Sequence, residues 1–524
     1  MRNRKSVLII ILLTFLTRVQ LLWEPYIHSD ESFLALSAKI WRQGGIPFID
    51  WIETKPLGVY VFYSLGAWFH TNHTDIHMPL VHFISILWTL LTAWVVARIA
   101  SHLSPQGTPP KAGFIAALFF VLFSSFWDPT IVAVSIEVVL LLPLCLSILL
   151  LYPSSGRLRF TQTFFSGLCV SAAVLCKYQA GILIPIFFVY FWIVLPKIIP
   201  GWDFRKALLH SLVFVLGCLP LSILMIGYLK FKGALDGFIF WNFYGNYFYI
   251  RDGTAAIDLK RKIITQIVRH LFSTLLLWGL AIDRLIHFLR EKAKTLPETS
   301  AYESLIWIWF FLSFIPVSIG KRFEDHYFLF LIPPLCVLSA ASLTRWSIQR
   351  RRKWGWAVLL AVILPTIGFT GTRYFIHSLN QKFDGEDMNS YRPYAAYLKE
   401  RTKSDDRIFV WGCGPAVYLF ADRRPASRFL RTDVLAGRVP GVDPRLDKDF
   451  DPQNFIVPKT WEMFFEDMSR HPPAYIMDLA PTGLHDFLFY PMSRYPQIMG
   501  FIKENYLQDP DFQKAVVYHR IERR

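Results

Sequence analysis

The chain has 524 residues, 53% of them apolar and only 18% charged, with 46 Phe, 22 Tyr and 18 Trp. So few charged side chains cannot cover the surface of a water-soluble body of this size, which excludes a soluble globular enzyme, a disordered chain and a disulfide-built secreted module. The composition is that of a membrane protein. Lys and Arg number 55 against 39 Asp and Glu, a formal charge of +16; in a multispanning chain this excess reports cytoplasmic loops and contact with anionic lipid or phosphate rather than nucleic acid. Cys145, Cys169, Cys176, Cys218 and Cys336 fall in apolar runs and Cys413 in a polar one. None has metal-ligand spacing, so neither a disulfide framework nor a zinc site follows.

Apolar runs lie at about 7–23, 80–100, 112–127, 131–152, 163–176, 180–196, 207–229, 263–282, 303–319, 326–343 and 354–371. A bilayer core of ~30 Å takes about 20 helical residues, so these runs predict eleven membrane helices. Arg269 and His270 interrupt the start of the eighth. The first run follows Arg2, Arg4 and Lys5 and has no small-residue cleavage site after it, so it reads as a retained helix with a cytoplasmic N-terminus. Alternation then places the Lys- and Arg-richer segments on that side, among them 344–353 with Arg345, Arg350, Arg351, Arg352 and Lys353. The C-terminal segment falls outside.

After about residue 376 the long apolar runs stop. Arg407 to Trp411 (RIFVW), followed by Gly412, Gly414 and Pro415, reads as a strand turning into a helix, with Pro415 at the first helical position. Segments 474–479 and 515–521 read as strands and 390–401 as a helix. The expected fold is a polytopic α-helical membrane domain over residues 1–375 and an external soluble α/β domain over residues 376–524.

This topology sends the polar clusters to one membrane face. Loop 24–79 carries His28-Ser29-Asp30-Glu31, a short amphipathic helix at 33–41, Glu53-Thr54-Lys55-Pro56, and an apolar stretch at 57–69. Both helical stretches are too short to span and suit the interface. Two turns on that face carry Lys177-Tyr178-Gln179 and Lys321-Arg322-Phe323-Glu324-Asp325-His326-Tyr327. Asp128 and Glu137 sit at outer helix ends, and loop 230–262 is rich in aromatics (Trp241, Phe243, Tyr244, Tyr247, Tyr249). Each cluster has a plainer reading: Asp30 and Glu31 as caps of a helix beginning near Ser32, Lys177 as a solvated turn residue, Lys321 and Arg322 as snorkelling anchors. Glu137 is harder to account for that way, because an ionisable group inside an apolar helix is costly and functional by default. A carboxylate can take a proton from a hydroxyl or amine, cations can hold a departing phosphate, and aromatic interfacial helices can hold an isoprenoid chain. As a set they describe sugar transfer from a lipid-phosphate donor; a transporter or lipid flippase is the alternative.

These residues resemble the GT-C fold glycosyltransferases, specifically the protein O-mannosyltransferase and lipid A aminoarabinose transferase group. The matching features are His-Ser-Asp30-Glu31-Ser-Phe, Lys55-Pro56-Leu57, Glu137 in the fourth run, Lys177-Tyr178-Gln-Ala-Gly, and Arg322 with His326-Tyr327 ahead of Pro333-Pro334. The resemblance covers roughly residues 7–345 in order. It implies an inverting transferase that uses a polyprenyl-phosphate-linked monosaccharide outside the membrane, with a glycolipid, glycan or protein as acceptor. Asp30 is then the base, with Glu31 beside it and Glu137 in the same catalytic group. Lys55, Lys177, Tyr178, Arg322, His326 and Tyr327 form the substrate-binding set. No cofactor is implied and no metal is required by these motifs, although a divalent ion is not excluded. Leu57-Gly58 stands where the group often has a second Pro, and Ser135 precedes Glu137 where Asn is common.

Overall fold

The computed structural model describes residues 4–67 (except 23 and 25), 77–103, 111–125, 129–256, 263–291, 297–347, 388–440 and 450–521, with scattered positions between 349 and 364 and at 442 and 444. The first ten apolar runs are helical; the eleventh falls largely outside the described residues, as do Asp128 and the 375/376 boundary. By length and composition, four described helices can cross a membrane: His77–His102, Tyr178–Ile198, Phe204–Phe231 and Glu298–Ser318. A fifth results if Ile264–Ser273 and Leu275–Arg290, bent by 68°, count as one span. This break falls in the eighth run, where Arg269 and His270 disturb the apolar pattern. The remaining helices of the bundle, including Arg4–Thr17, Lys111–Phe123, Ile136–Leu150, Phe160–Cys176 and Ile332–Arg345, are shorter.

Local chemistry sets where these helices begin. The Asp203 carboxylate accepts from the Lys206 N–H at 2.8 Å and starts Phe204–Phe231. Ser135 starts Ile136–Leu150 and puts Glu137 in its first turn, where the free N–H groups favour negative charge. Phe204–Phe231 packs on Phe160–Cys176 through glycines: a Cβ on Gly217 would meet the Phe164 carbonyl oxygen at 2.1 Å, and one on Gly167 would meet the Phe214 carbonyl oxygen at 2.2 Å. In a bilayer, where lipid tails remove the hydrophobic drive between helices, such close backbone approach is what holds a helix pair. The other side of Phe204–Phe231 leaves Leu212, Leu216, Leu219, Ile223 and Leu224 exposed, as a lipid-facing stripe requires.

The C-terminal part is a five-stranded sheet with helices. Its strands are β1 (Arg407–Trp411), β2 (Arg424–Pro425), β3 (Tyr475–Asp478), β4 (Tyr506–Asp509) and β5 (Val516–Arg520), in the order β2-β1-β3-β5-β4. β1 runs parallel to β2 and β3, while β5 is antiparallel to β3 and β4. Pro415 occupies the start of helix Pro415–Ala421, and helices Arg392–Arg401, Thr460–Arg470 and Pro496–Asn505 cover the sheet. The expected strands and the 390–401 helix are present, whereas β2 and β4 carry no alternation that marks them in sequence.

This domain is seated on the first loop. The Ile52 N–H donates to the Arg428 carbonyl at 3.2 Å, Lys39 meets Asp422 at 2.6 Å, and Tyr26 packs edge-on to Phe420. Replacing Gly217 with Ala should destabilise the protein by about 1 to 3 kcal/mol, the cost of forcing backbone apart in a packed interface. A lowered thermal unfolding temperature in detergent checks this, with no such loss in Gly227→Ala, where no described atom outside the helix's own nearby backbone lies within 4 Å of the Cβ position.

Candidate active site

The first-loop helix, Ser29–Arg42, is the site's platform. Its N-cap is His28, whose ring Nδ1 accepts the Asp30 N–H at 3.1 Å; Asp30 and Glu31 fill the first turn, and Lys39 and Arg42 the last. Each end thus carries the charge that the helix dipole favours. Asp30 is therefore not the cap, since His28 does that work and the Asp30 carboxylate is turned elsewhere. Its Oδ1 accepts from Arg431 Nη2 at 2.8 Å, and its side chain is 44% exposed in a recess crowded with other groups. Burial in that recess pushes its pKa up, but Arg431 above all, then His28, Lys55 and His326, outweigh this and hold it well below the usual carboxylate range.

Glu31, one residue on, faces the opposite way and is 1% exposed. One oxygen accepts the Val134 N–H and the other the Ile27 N–H, each at 2.6 Å, and His82 Nε2 lies 3.4 Å from the first. The expectation of a catalytic Glu31 thus meets a carboxylate committed to bracing the loop against the bundle.

Lys55 stands between Glu53, at 3.4 Å, and the Asp30 recess, with 36% of its side chain exposed. Burial lowers its pKa, but Glu53, Asp30 and Tyr249 together raise it above the ordinary value, so the ammonium stays charged. Glu53 is itself fixed by the Tyr60 hydroxyl at 2.5 Å and the Thr54 N–H at 2.6 Å. The Tyr178 hydroxyl donates to Asn242 Oδ1 at 2.7 Å, and Asn242 Nδ2 donates to the Glu53 carbonyl at 3.4 Å. Asn242 lies in a π-helical turn, Phe240–Gly245, a local widening of the helix often found at functional sites.

Lys177 and Arg322 correct the reading of these cations as surface residues. Lys177 is 5% exposed, bonded to Glu137, and its ammonium lies 3.8 Å from the centre of the Tyr327 ring. His326 Nε2 is 3.9 Å from the other Glu137 oxygen. Arg322 is 2% exposed. It donates to the carbonyls of Pro440 at 2.8 Å and Tyr249 at 3.3 Å, lies over the Tyr249 ring at 3.8 Å, and leaves Nε without a partner. No carboxylate pairs with it among the described residues. Asp325, close by in sequence, is taken by Arg269 through two bonds of 2.5 and 2.6 Å.

The structure thus gathers Asp30, Lys55 and Arg431 around one recess, while Arg322 rests on Tyr249. It sets Glu137, Lys177, His326 and Tyr327 together as a buried cluster. Arg431, Asn242 and Glu53 were not among the expected site residues. Arg431 lies 401 residues from Asp30, and no local pattern marks it. Among the described residues no group of three or more His, Cys, Asp or Glu side chains is placed to hold a metal ion.

No protein-family model matches the sequence, and no curated protein matches it either. Solved structures do share the fold. ArnT from Cupriavidus metallidurans bound to undecaprenyl phosphate superposes with a TM-score of 0.61 at 11% identity, covering 98% of each chain; its apo state gives 0.59 at 12%. The archaeal oligosaccharyltransferase AglB from Archaeoglobus fulgidus, in complex with an inhibitory peptide and a dolichol-phosphate, gives 0.56 at 11%, over 99% of this chain and 74% of AglB. The likeness shows the fold: a polytopic helical membrane protein of the GT-C type with a C-terminal sheet domain.

Removing either partner of the Glu137–Lys177 pair strands a charge away from water. Glu137→Gln and Lys177→Met should each cost about 3 to 5 kcal/mol, and Glu137→Gln with Lys177→Met together should cost less than either alone. Thermal unfolding of the three variants measures this; additive losses would show that the two side chains do not depend on each other.

Proposed function

We propose that this protein is a membrane glycosyltransferase that moves a monosaccharide from a polyprenyl-phosphate donor to a glycolipid, glycan or protein acceptor at the outer face of the cell membrane. The observation supporting it is a meeting of groups on a fold shared with ArnT and AglB: an ionised, half-open Asp30 beside Lys55, and a buried Arg322 without a carboxylate. A guanidinium out of water without a counter-ion is costly, so the recess is prepared for an anion supplied by substrate. A donor phosphate suits that need, and two of the solved relatives hold lipid phosphates.

In this reading Asp30 takes the proton from the acceptor hydroxyl or amine as its lone pair attacks the anomeric carbon. The bond to the polyprenyl phosphate breaks on the opposite face, its electron pair leaves with the phosphate, and the configuration inverts. Lys55 and Arg322 stabilise the departing charge by charge-assisted hydrogen bonds. Lys177, Tyr178, His326 and Tyr327 shape the recess, and Glu137 holds Lys177 in place. The N-terminus is cytoplasmic, residues 1–375 form the membrane part and residues 376–524 an external domain. Membrane lipid is the medium, and nucleic acid is not a partner.

Isolated membranes supplied with a labelled polyprenyl-phosphate sugar should yield labelled acceptor, and no transfer from any such donor would refute the reading. Asp30→Asn keeps the size of the side chain but cannot take the proton, so turnover should fall by roughly 10² to 10⁴ while donor binding survives. Glu31→Gln should instead lower stability, because its oxygens brace two N–H groups. Lys55→Ala and Arg322→Ala should weaken donor affinity by about tenfold or more, as expected for a lost contact to a charged group. Isotope-labelled donor binding to purified protein measures that loss; unchanged affinity in both would remove the phosphate from this place.

A further inference from the structure

Asp30 is held by a residue from the other end of the chain. Arg431 follows a segment fixed in the C-terminal domain: Asp467 accepts from the Ser427 hydroxyl and the Arg428 N–H, each at 2.9 Å, and from the Arg428 guanidinium at 2.6 Å. Phe429 and Leu430 are fully buried next to it. Arg431 itself bridges to Cys413, just past the carboxyl end of β1, and Thr432 bonds to Gly412 in both directions, at 3.2 and 2.9 Å. In open α/β sheets the carboxyl ends of parallel strands are where ligands are bound. Here that edge meets the N-terminal turn of Ser29–Arg42.

Among the described residues the guanidinium bonds through Nη2, to Asp30 at 2.8 Å and the Ser29 hydroxyl at 3.2 Å, with the Phe33 ring 5.2 Å away. Its Nε is buried without a partner. An arginine serving only to dock two surfaces would be expected to spend its donors on the nearest carbonyls. Lys39 and Asp422 already join the same helix to the same domain at 2.6 Å, away from the recess. The groups around Asp30 are Arg431 from the C-terminal domain, His28 from its own turn, Lys55 from the first loop and His326 from the Asp325–Phe330 turn. Arg431 is the group among them that bonds the carboxylate from across the domain seam.

We propose that the C-terminal domain is part of the active site, and that Arg431 is the positioning residue through which it acts, fixing the orientation and ionised state of Asp30. This rests on the reading of Asp30 as base. With Arg431 in place the carboxylate stays ionised into acid, and without it the proton binds at higher pH. Removing an arginine beside an aspartate raises the carboxyl pKa by about 1 to 3 units. The acid limb of kcat/KM should therefore move up by about that much in Arg431→Gln, with kcat lowered about 10- to 100-fold and donor affinity retained. Arg431→Lys should restore most of both, and Lys39→Ala should leave the limb where it is. In an Asp30→Asn background Arg431→Gln should add little, because the two act as a unit.

The full-length protein in nanodiscs tests this in two ways. Infrared spectra across pH, differenced against Asp30→Asn, follow the Asp30 carboxyl without any substrate, and kinetics with the polyprenyl-phosphate sugar follow its consequence. An Asp30 titration and acid limb both unmoved in Arg431→Gln, or an equal loss of activity with and without Asp30, would overturn the role of Arg431. A titration shifted in Arg431→Gln, with a wild-type protein that transfers no sugar, would instead overturn the proposed function and leave the Arg431–Asp30 relation standing. If Arg431→Gln does not fold, the Lys variant carries the test, since a mobile ammonium moves the titration only partway.

Discussion

An ionised side chain removed from water must find an opposite charge or a full set of hydrogen bonds, and at the domain-bearing end of this bundle many such groups are crowded together. Glu137 finds Lys177, Glu31 finds two backbone N–H groups and His82, and Glu53 finds Tyr60, Thr54 and Lys55. These pairings tie the loops of this face to the helices and to one another. Among the described residues Arg322 is held by two carbonyls and an aromatic face, with no carboxylate.

The same constraint separates adjacent residues with the same chemistry. Asp30 and Glu31 are consecutive carboxylates on one helical turn, about 100° apart, and this rotation sends one to the open recess and the other into the bundle. The inward carboxylate is 1% exposed and bonded to two N–H groups, whereas the outward one is 44% exposed, bonded to Arg431 and 3.8 Å from His28 Nδ1. Their different surroundings follow from direction, which the helix fixes once His28 has set its start.

The two halves of the chain depend on each other through these contacts. The C-terminal sheet would be a conventional small α/β layer on its own, but its Arg431 and the Pro440 carbonyl complete charge arrangements begun in the membrane part. Conversely, Ile52, Lys39 and Tyr26 give the domain a seat. The domain seam thus includes both contacts at the recess, through Arg431, and contacts apart from it, through Lys39.

Much of this was legible in the residues themselves. Apolar runs announced the helices because lipid tolerates only backbone bonded within its own segment; RIFVW before Gly-Cys-Gly-Pro announced β1 and the helix after it; and the motifs around Asp30, Lys55 and Glu137 pointed to one face. What sequence could not show was pairing at a distance. Lys177 pairs with Glu137, 40 positions away, and Arg322 rests on Tyr249 and Pro440 from other segments, which no local pattern records. Arg431 carried no signal at all, since an arginine in a polar stretch reads as a surface charge. Local patterns record the short-range forces that form helices and strands; a charge's role is decided by which opposite charge the folded chain brings within a few ångströms, and that belongs to the tertiary structure alone.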